Sequence, residues 1–183
     1  SMLLLWLLHQ ASFSVEIAHC NFQLRGEESD GDEKLVRDYA EKNTIPFHVK
    51  RFDTTQYAES NKISIQMAAR ELRYAWFEEL RKQQNCEVVA VAQHMNDSVE
   101  TVLFNLSRGT GLQGLQGILP KREDSKVVRP LLFLQSKEII AVVETISIPF
   151  GDDSSNFSNK YARNKIRLDI IPEFEKLNSD FIT

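Results

Sequence analysis

Apolar positions change period several times along the chain, and each change marks an element. Met2–Leu8 is an uninterrupted apolar run that reads as the inside of a buried helix. It is far shorter than the roughly 20 residues a membrane span needs. It also lacks the basic lead and small-residue cleavage site of a signal peptide. Residues 15–22 are short and β-rich and predict a strand. An acidic run over Glu27–Glu33 reads as surface, and a helix is expected over Glu33–Lys42. Ile45–Phe52 reads as a second strand beginning at Pro46, where a missing N–H is tolerated. Ile65, Ala68, Ala69, Leu72, Trp76 and Leu80 give the apolar stripe of a long amphipathic helix over 64–83.

Val88–Gln93 is nearly continuous in small apolar residues, which predicts a central strand buried on both faces. Val99, Val102, Leu103 and Leu106 then return to helical spacing. Val127–Leu132 reads as a strand nearer an edge, because Pro130 interrupts it, and Ile139, Ile140 and Val143 predict a helix over 137–145. Past Pro149 a polar turn leads into a helical stretch, Lys160–Leu177, restarted near Pro172. Strands alternating with helices predict an α/β fold: a doubly wound parallel sheet with a C-terminal helical segment. The change of pattern divides residues 1–148, a catalytic-sized domain, from 149–183, a helical extension expected to lead into a further region.

Composition narrows the function. With 183 residues, 42% hydrophobic and 26% charged, the chain has material for one core and no mark of global disorder. A net charge of -4 argues against a wholly basic nucleic-acid wrapper and leaves room for a local basic patch. Cys20 and Cys86 are isolated, so neither a disulfide framework nor a zinc site is indicated, and a reducing, cytoplasmic setting follows. The sequence has no Walker A loop, no Gly-x-Ser-x-Gly elbow and no Gly-x-Gly-x-x-Gly after its first strand.

Ligands of parallel sheets bind beyond the carboxyl ends of the strands. Two predicted strand ends carry polar chemistry: His19, Asn21, Gln23 and Arg25 at the first, His94, Asn96, Asp97 and Glu100 at the third. Asp97 and Glu100 fit a capping box equally well, and a lone histidine fits a structural role. Gln66, Arg70, Arg73 and Phe77 form a second stripe beside the apolar face of the long helix. Such arginines can clamp phosphate or RNA bidentately, or pair with Glu71 and Glu78. Lys160, Arg163, Lys165 and Arg167 make a second basic cluster, compatible with a solvated helix face. Four of the seven glycines lie between Gly109 and Gly117, marking a special loop. Its Arg108-Gly109-Thr110-Gly111 start offers unhindered amides and a hydroxyl suited to an anion or backbone contact.

Six stretches occur in an order that resembles one family. They are His19–Asp30, Ala69–Tyr74, Ala92–Thr101, Arg108–Leu115, Arg129–Leu132, and Asp153–Asn156 with Tyr161–Arg167. In this order the chain is similar to the N-terminal catalytic domain of the tRNA(Ile)-lysidine synthase family, among the PP-loop (N-type) ATP pyrophosphatases. The family's phosphate loop, Ser-Gly-Gly-x-Asp-Ser, is not in the sequence. Ser1 resembles that loop's last serine, so the resemblance implies that the first strand and most of the phosphate site lie outside these residues. Asn96-Asp97 and Ser98 stand where the family often has two acids and a glutamine, which leaves Asp97 as the carboxylate.

The resemblance implies a Rossmann-like, adenine nucleotide alpha hydrolase-like fold and a tRNA-modifying ligase. ATP would adenylate the wobble cytidine of an isoleucine tRNA, and the ε-amine of free L-lysine would displace AMP. It implies Arg70, Arg163 and Asp97 as catalytic residues and Mg2+ at Asp97. Ser1, His19, Asn21, His94, Arg108 and Gly109 would serve the nucleotide; Arg25, Arg73, Glu100, Asn164 and Arg167 would serve tRNA or lysine. Another PP-loop enzyme, such as a tRNA thiolase or an amidotransferase-linked synthetase, and a non-catalytic adenine-nucleotide-binding module remain alternatives on the same fold. The Arg-rich Ala69–Tyr74 and Tyr161–Arg167 blocks argue against a simple nucleotide sensor.

Overall fold

A computed structural model describes residues 1–151 and 162–182. The block Asp153–Asn156 and the residue Tyr161 lie outside these residues. The apolar start forms α1 (Met2–Gln10). Its Met2 and Leu3 bury against Val143 and Ile148, with Leu35, Val36 and Tyr39 packed around them. Strands β1 (Ile17–Asn21) and β2 (Phe47–Arg51) pair in parallel, Ile17 opposite Phe47 through Asn21 opposite Arg51. β2 begins directly after Pro46, as expected of a residue that cannot donate to the ladder.

Helix α2 (Glu27–Lys42) joins the two strands and starts six residues earlier than its apolar pattern indicates. Its first turn holds Glu27, Glu28 and Asp30, which the partial positive charge of a helix N-terminus favours. The acidic run is therefore not all surface: Ser29 and Glu33 are buried. A short helix, α3 (Thr54–Asn61), was not visible in the apolar spacing; Asp53 caps it by accepting from the Gln56 amide at 2.9 Å. The long helix α4 (Ile65–Gln83) follows its stripe, capped by Ser64 and burying Ala68 and Trp76.

The second half corrects two expectations. Only Val89–Ala90 of the third strand pairs (β3), and it sits at the end of a separate three-stranded sheet. Nor is the run buried on both faces: Val88 is exposed and residues 89–93 are half-buried, because an apolar run does not say which neighbours will cover it or supply its hydrogen bonds. β5 (Val127–Val128), expected near an edge, is instead the middle strand, parallel to β3 and antiparallel to β4 (Lys121–Arg122). Pro130 falls after the two paired residues, so its missing N–H costs the ladder nothing.

Between these strands run α5 (Met95–Ser107) and a 3₁₀ turn over Leu112–Gln116; α6 (Ser136–Thr145) follows β5. The C-terminal stretch is α7 (Ala162–Lys165), a π-helical turn over Ile166–Ile170 and α8 (Ile171–Leu177). The π turn falls just ahead of Pro172, whose ring and missing N–H disturb a regular helical ladder. Ile166, Ile171 and Ile182 form a second cluster against Met95, Val99, Leu103 and Phe104 of α5. The architecture is mixed α/β with parallel strands and covering helices. Among the described residues no helix is long and apolar enough to cross a membrane.

Candidate functional site

The carboxyl end of β1 is built by charge. Asn21, fully buried, donates from Nδ2 to Asp30 Oδ1 at 3.1 Å and to Glu33 Oε2 at 3.0 Å. Glu33 also accepts from Arg37 at 2.9 Å and from Arg51 Nε at 3.0 Å. Burial alone would raise this carboxyl, but the hydrogen bonds from Arg51, Asn21 and Arg37 outweigh it and hold it at about 2, against an ordinary 4.5. Asn21 is thus a strut joining β1 to α2, with its amide spent on carboxylates.

Because the folded-state value lies below the unfolded one, Glu33 stabilises the fold above about pH 4.5 and loses that contribution as pH falls toward 2. Glu33→Gln should cost about 1–3 kcal/mol at neutral pH, since buried donors lose a charged acceptor. The melting-temperature gap between wild type and variant should be widest near neutrality and shrink steadily below pH 4.5. A gap that stays constant down to acid pH would contradict this assignment.

Just past β1, Phe22 stacks on Phe52 at 5.6 Å, and Phe52 meets Trp76 of α4 edge-on at 6.2 Å. Arg73 lies over Phe22 at 5.1 Å, which places its guanidinium at this strand end. Arg70, one turn earlier and exposed, lies over Tyr74 at 5.0 Å. Arg25 faces the same region but reaches α2, donating to Asp32 Oδ2 at 2.6 Å.

His19 sits in mid-strand, opposite Val49. Burial lowers its pKa, partly offset by Glu33 and Asp32. Its neighbour Cys20 is pushed up to about 12, mainly by burial. A cleft of about 190 Å³ brings Ser1 and His19 together with Asp32 and Gly151. Ser1 lies within electrostatic reach of Asp97, so it links this cleft to the second strand end.

That second end is the start of α5. The His94 amide donates to Asp97 Oδ2 at 2.9 Å, so Asp97 caps its helix. The buried Nδ1 of His94 has no hydrogen-bond partner among the described residues. The next turns of α5 hold the C-terminal cations. Arg163 Nη2 donates to Thr101 Oγ1, which in turn donates to the Asp97 carbonyl at 2.7 Å. Arg167 grips Glu100 through Nε–Oε1 at 2.6 Å and Nη2–Oε2 at 3.1 Å. Glu100 is fully buried and Arg167 half-exposed. Asn164 lies half-buried in α7 between these two arginines in sequence.

The glycine loop lies elsewhere. Amides of Arg108, Gly109 and Thr110 donate to the Asn105 and Leu106 carbonyls, closing the C-terminus of α5. The expectation of unhindered amides there is corrected, because a helix's last carbonyls need donors and the nearest amides supply them. Arg108 stacks over Phe104 at 5.4 Å. At 1.5 Å per residue, this end lies roughly 20 Å along α5 from His94, so Arg108 and Gly109 do not join that site. The loop is instead tied to α5: Ile118 donates to Ser98 Oγ at 3.0 Å. Gly117 (φ +68°) leaves no room for a Cβ, which would lie 2.4 Å from the same oxygen.

The arrangement offers cations at two strand ends, a capped carboxylate and an imidazole, a set suited to anionic substrates. Asp32, Gln93, Thr101 and Arg129 line these places without having stood out in the sequence. Arg129 was the most legible of them, a charge between apolar Val127–Val128 and Leu131–Leu132.

Residues 1–174 match the model of the PP-loop domain. The chain is 51% identical over 178 residues to a tRNA(Ile)-lysidine synthase of Bacteroides thetaiotaomicron, covering 97% of this chain and 41% of that protein. It is 47% identical to one of Parabacteroides distasonis (97% and 40%) and 46% identical to one of Porphyromonas gingivalis (97% and 39%). The chain therefore spans about 40% of the length of these curated relatives. Among solved structures, the U34-tRNA thiolase NcsA from Methanococcus maripaludis with its 4Fe–4S cluster superposes with a TM-score of 0.74. It is 15% identical, with 97% of this chain and 62% of that chain covered, a likeness of fold.

Proposed function

The chain belongs to the PP-loop domain family, and on that premise we propose that it is the catalytic domain of a tRNA(Ile)-lysidine synthase. The observation that carries this is the 51% identity to a protein of that name along 97% of the chain. In this reading the carbonyl oxygen of a wobble cytidine attacks the α-phosphorus of ATP and expels pyrophosphate. The ε-amine of L-lysine then adds to the activated carbon, loses a proton, and AMP leaves with the oxygen.

The residues divide that work by their chemistry. Arg70 and Arg163 supply guanidiniums whose forked geometry suits phosphate oxygens. Ser1 and His19 border the cleft for the nucleotide, His94 would serve it from the start of α5, and Arg25 and Arg73 face RNA or lysine from the β1 end. Glu100 and Arg167 hold the C-terminal helices against α5, and Arg163 with them, while Asn164 would serve tRNA or lysine from the same segment. Asn21 serves by bracing β1. Mg2+ would take Asp97, whose Oδ1 accepts no hydrogen bond from the described residues; magnesium usually takes only one or two carboxylates and fills its shell with phosphates and water. It would supply charge neutralisation on the phosphates. We place the boundary between catalytic domain and helical extension near residue 149, and the reaction in the cytoplasm.

Sulfur transfer is the rival chemistry on this fold. It would want a reactive thiol, and burial holds Cys20 far from thiolate. The full-length protein, an isoleucine tRNA transcript with a wobble cytidine, ATP and labelled lysine make the test. Lysine should enter the tRNA in step with AMP and pyrophosphate release, and a transcript with uridine at that position should stay unlabelled. Lysine-independent modification of the uridine transcript would overturn the proposal.

A further inference from the structure

Arg129 is 5% exposed, yet among the described residues no acidic side chain pairs with it. Its Nε donates to Gln93 Oε1 at 2.5 Å and its Nη1 to the Leu119 carbonyl at 2.7 Å, both neutral acceptors. Its Nη2 has no hydrogen-bond partner among the described residues. A guanidinium keeps its charge when buried, and leaving that charge without a counter-charge is costly. Buried charges normally find a carboxylate or a ligand.

The position of this charge says which. Arg129 directly follows β5 and Gln93 lies three residues beyond β3; these strands are parallel neighbours, and Val91 donates to the Val128 carbonyl at 3.0 Å. Both side chains therefore sit at the carboxyl end of the pair, where open α/β sheets take ligands. The residue after Gln93 is His94, with its unpartnered Nδ1, at the positive end of a 13-residue helix. A buried cation, an orphaned imidazole nitrogen and a helix N-terminus capped by Asp97 all lie at this end of the strand pair.

We propose that Arg129 is a positioning residue with two effects. Its fork fixes Gln93, and with it the His94 segment, while its uncompensated charge draws an oxyanion to this strand end. Under the lysidine reading, on which the ligand's identity rests, the oxyanion is either a nucleotide phosphate or the carboxylate of lysine.

Calorimetry on the full-length protein tells these apart. ATP is compared with adenosine, lysine with its decarboxylated form cadaverine, and inorganic pyrophosphate is titrated alone. Arg129→Met should weaken binding of one oxyanion ligand by about 10- to 100-fold, the equivalent of losing a charge-assisted contact, and leave its uncharged counterpart within about threefold. A purely structural role would weaken both members of a pair alike. Arg129→Lys keeps the charge without the fork and covers the case in which the methionine variant does not fold. It should hold oxyanion affinity within about threefold of wild type while turnover falls more than about tenfold. Lysine-variant protein that melts normally but loses oxyanion affinity, or methionine-variant protein that keeps both affinity ratios, overturns the proposal. If wild type makes no lysidine but pyrophosphate binding still depends on Arg129, the functional reading fails and this inference stands.

Discussion

Glu100→Ala is expected to loosen the C-terminal helices by about 3 kcal/mol, the lower end of what removing one partner of a buried ion pair costs. The lower end applies because Glu100 is 1% exposed while Arg167 keeps 37% of its side chain in water. The loss has two parts. Arg167 forfeits both of its bonds to the carboxylate, and a void opens where the fully buried Glu100 side chain sat. Hydrogen exchange on the full-length protein reads the effect locally, since segments open with their own free energies. Amides over 162–177 should exchange on the order of a hundredfold faster, while those of β1 and β2 stay protected. Replacing Glu100 and Arg167 together by leucine should recover much of the protection, because the charges' desolvation cost disappears with them. Unchanged exchange in the alanine variant would mean that the cluster of Ile166, Ile171 and Ile182, with the Arg163–Thr101 bond, suffices to hold the segment.

Much of this architecture could be read from residue pattern, and the failures share a cause. α4 was legible because its apolar stripe is local, recurring every turn from Ile65 to Leu80. The strands were legible as segments but not as neighbours: pairing β3 with β5 joins residues 38 apart, Val89 with Val127. The same applies to charge. Glu27–Glu33 looks like a solvated run until Arg51 arrives from β2 and Arg37 from the next turn to meet Glu33. Asp97 and Glu100 read as a capping box, but the box sits one turn earlier: His94 is the cap, Asp97 accepts its amide, and Glu100 is spent on Arg167. Arg108 and Gly109 fitted an anion-binding pattern, but their amides close a helix, a use that depends on where α5 ends. Arg129 is visible in the sequence as a charge among apolar residues, but nothing local reveals that its partners are neutral.

Arg163→Lys in the full-length enzyme should slow the chemical step by about 100- to 1000-fold, the loss seen when one preorganised charge-stabilising donor is removed. The charge remains, but an ammonium cannot reproduce the planar fork that spans two oxygens of a phosphate. The structure gives Arg163 a competing, mundane role, because Nη2 donates to Thr101 Oγ1 one turn beyond Asp97. Thr101→Val separates the roles. It removes that acceptor and leaves the guanidinium, so a docking arginine would make the two variants behave alike. A catalytic arginine would leave Thr101→Val within about threefold of wild type in single-turnover adenylation and lysine transfer, against the 100- to 1000-fold loss in Arg163→Lys. Arg70 of α4 provides the comparison. It is exposed, its guanidinium lies over the face of Tyr74, and its N–H groups make no hydrogen bond or ion pair among the described residues. Arg70→Lys should therefore leave the melting temperature unchanged while slowing the same step to a similar degree. Near-normal single-turnover rates in both arginine variants would remove these guanidiniums from the reacting centre and leave them as a helix-docking contact and a surface stack.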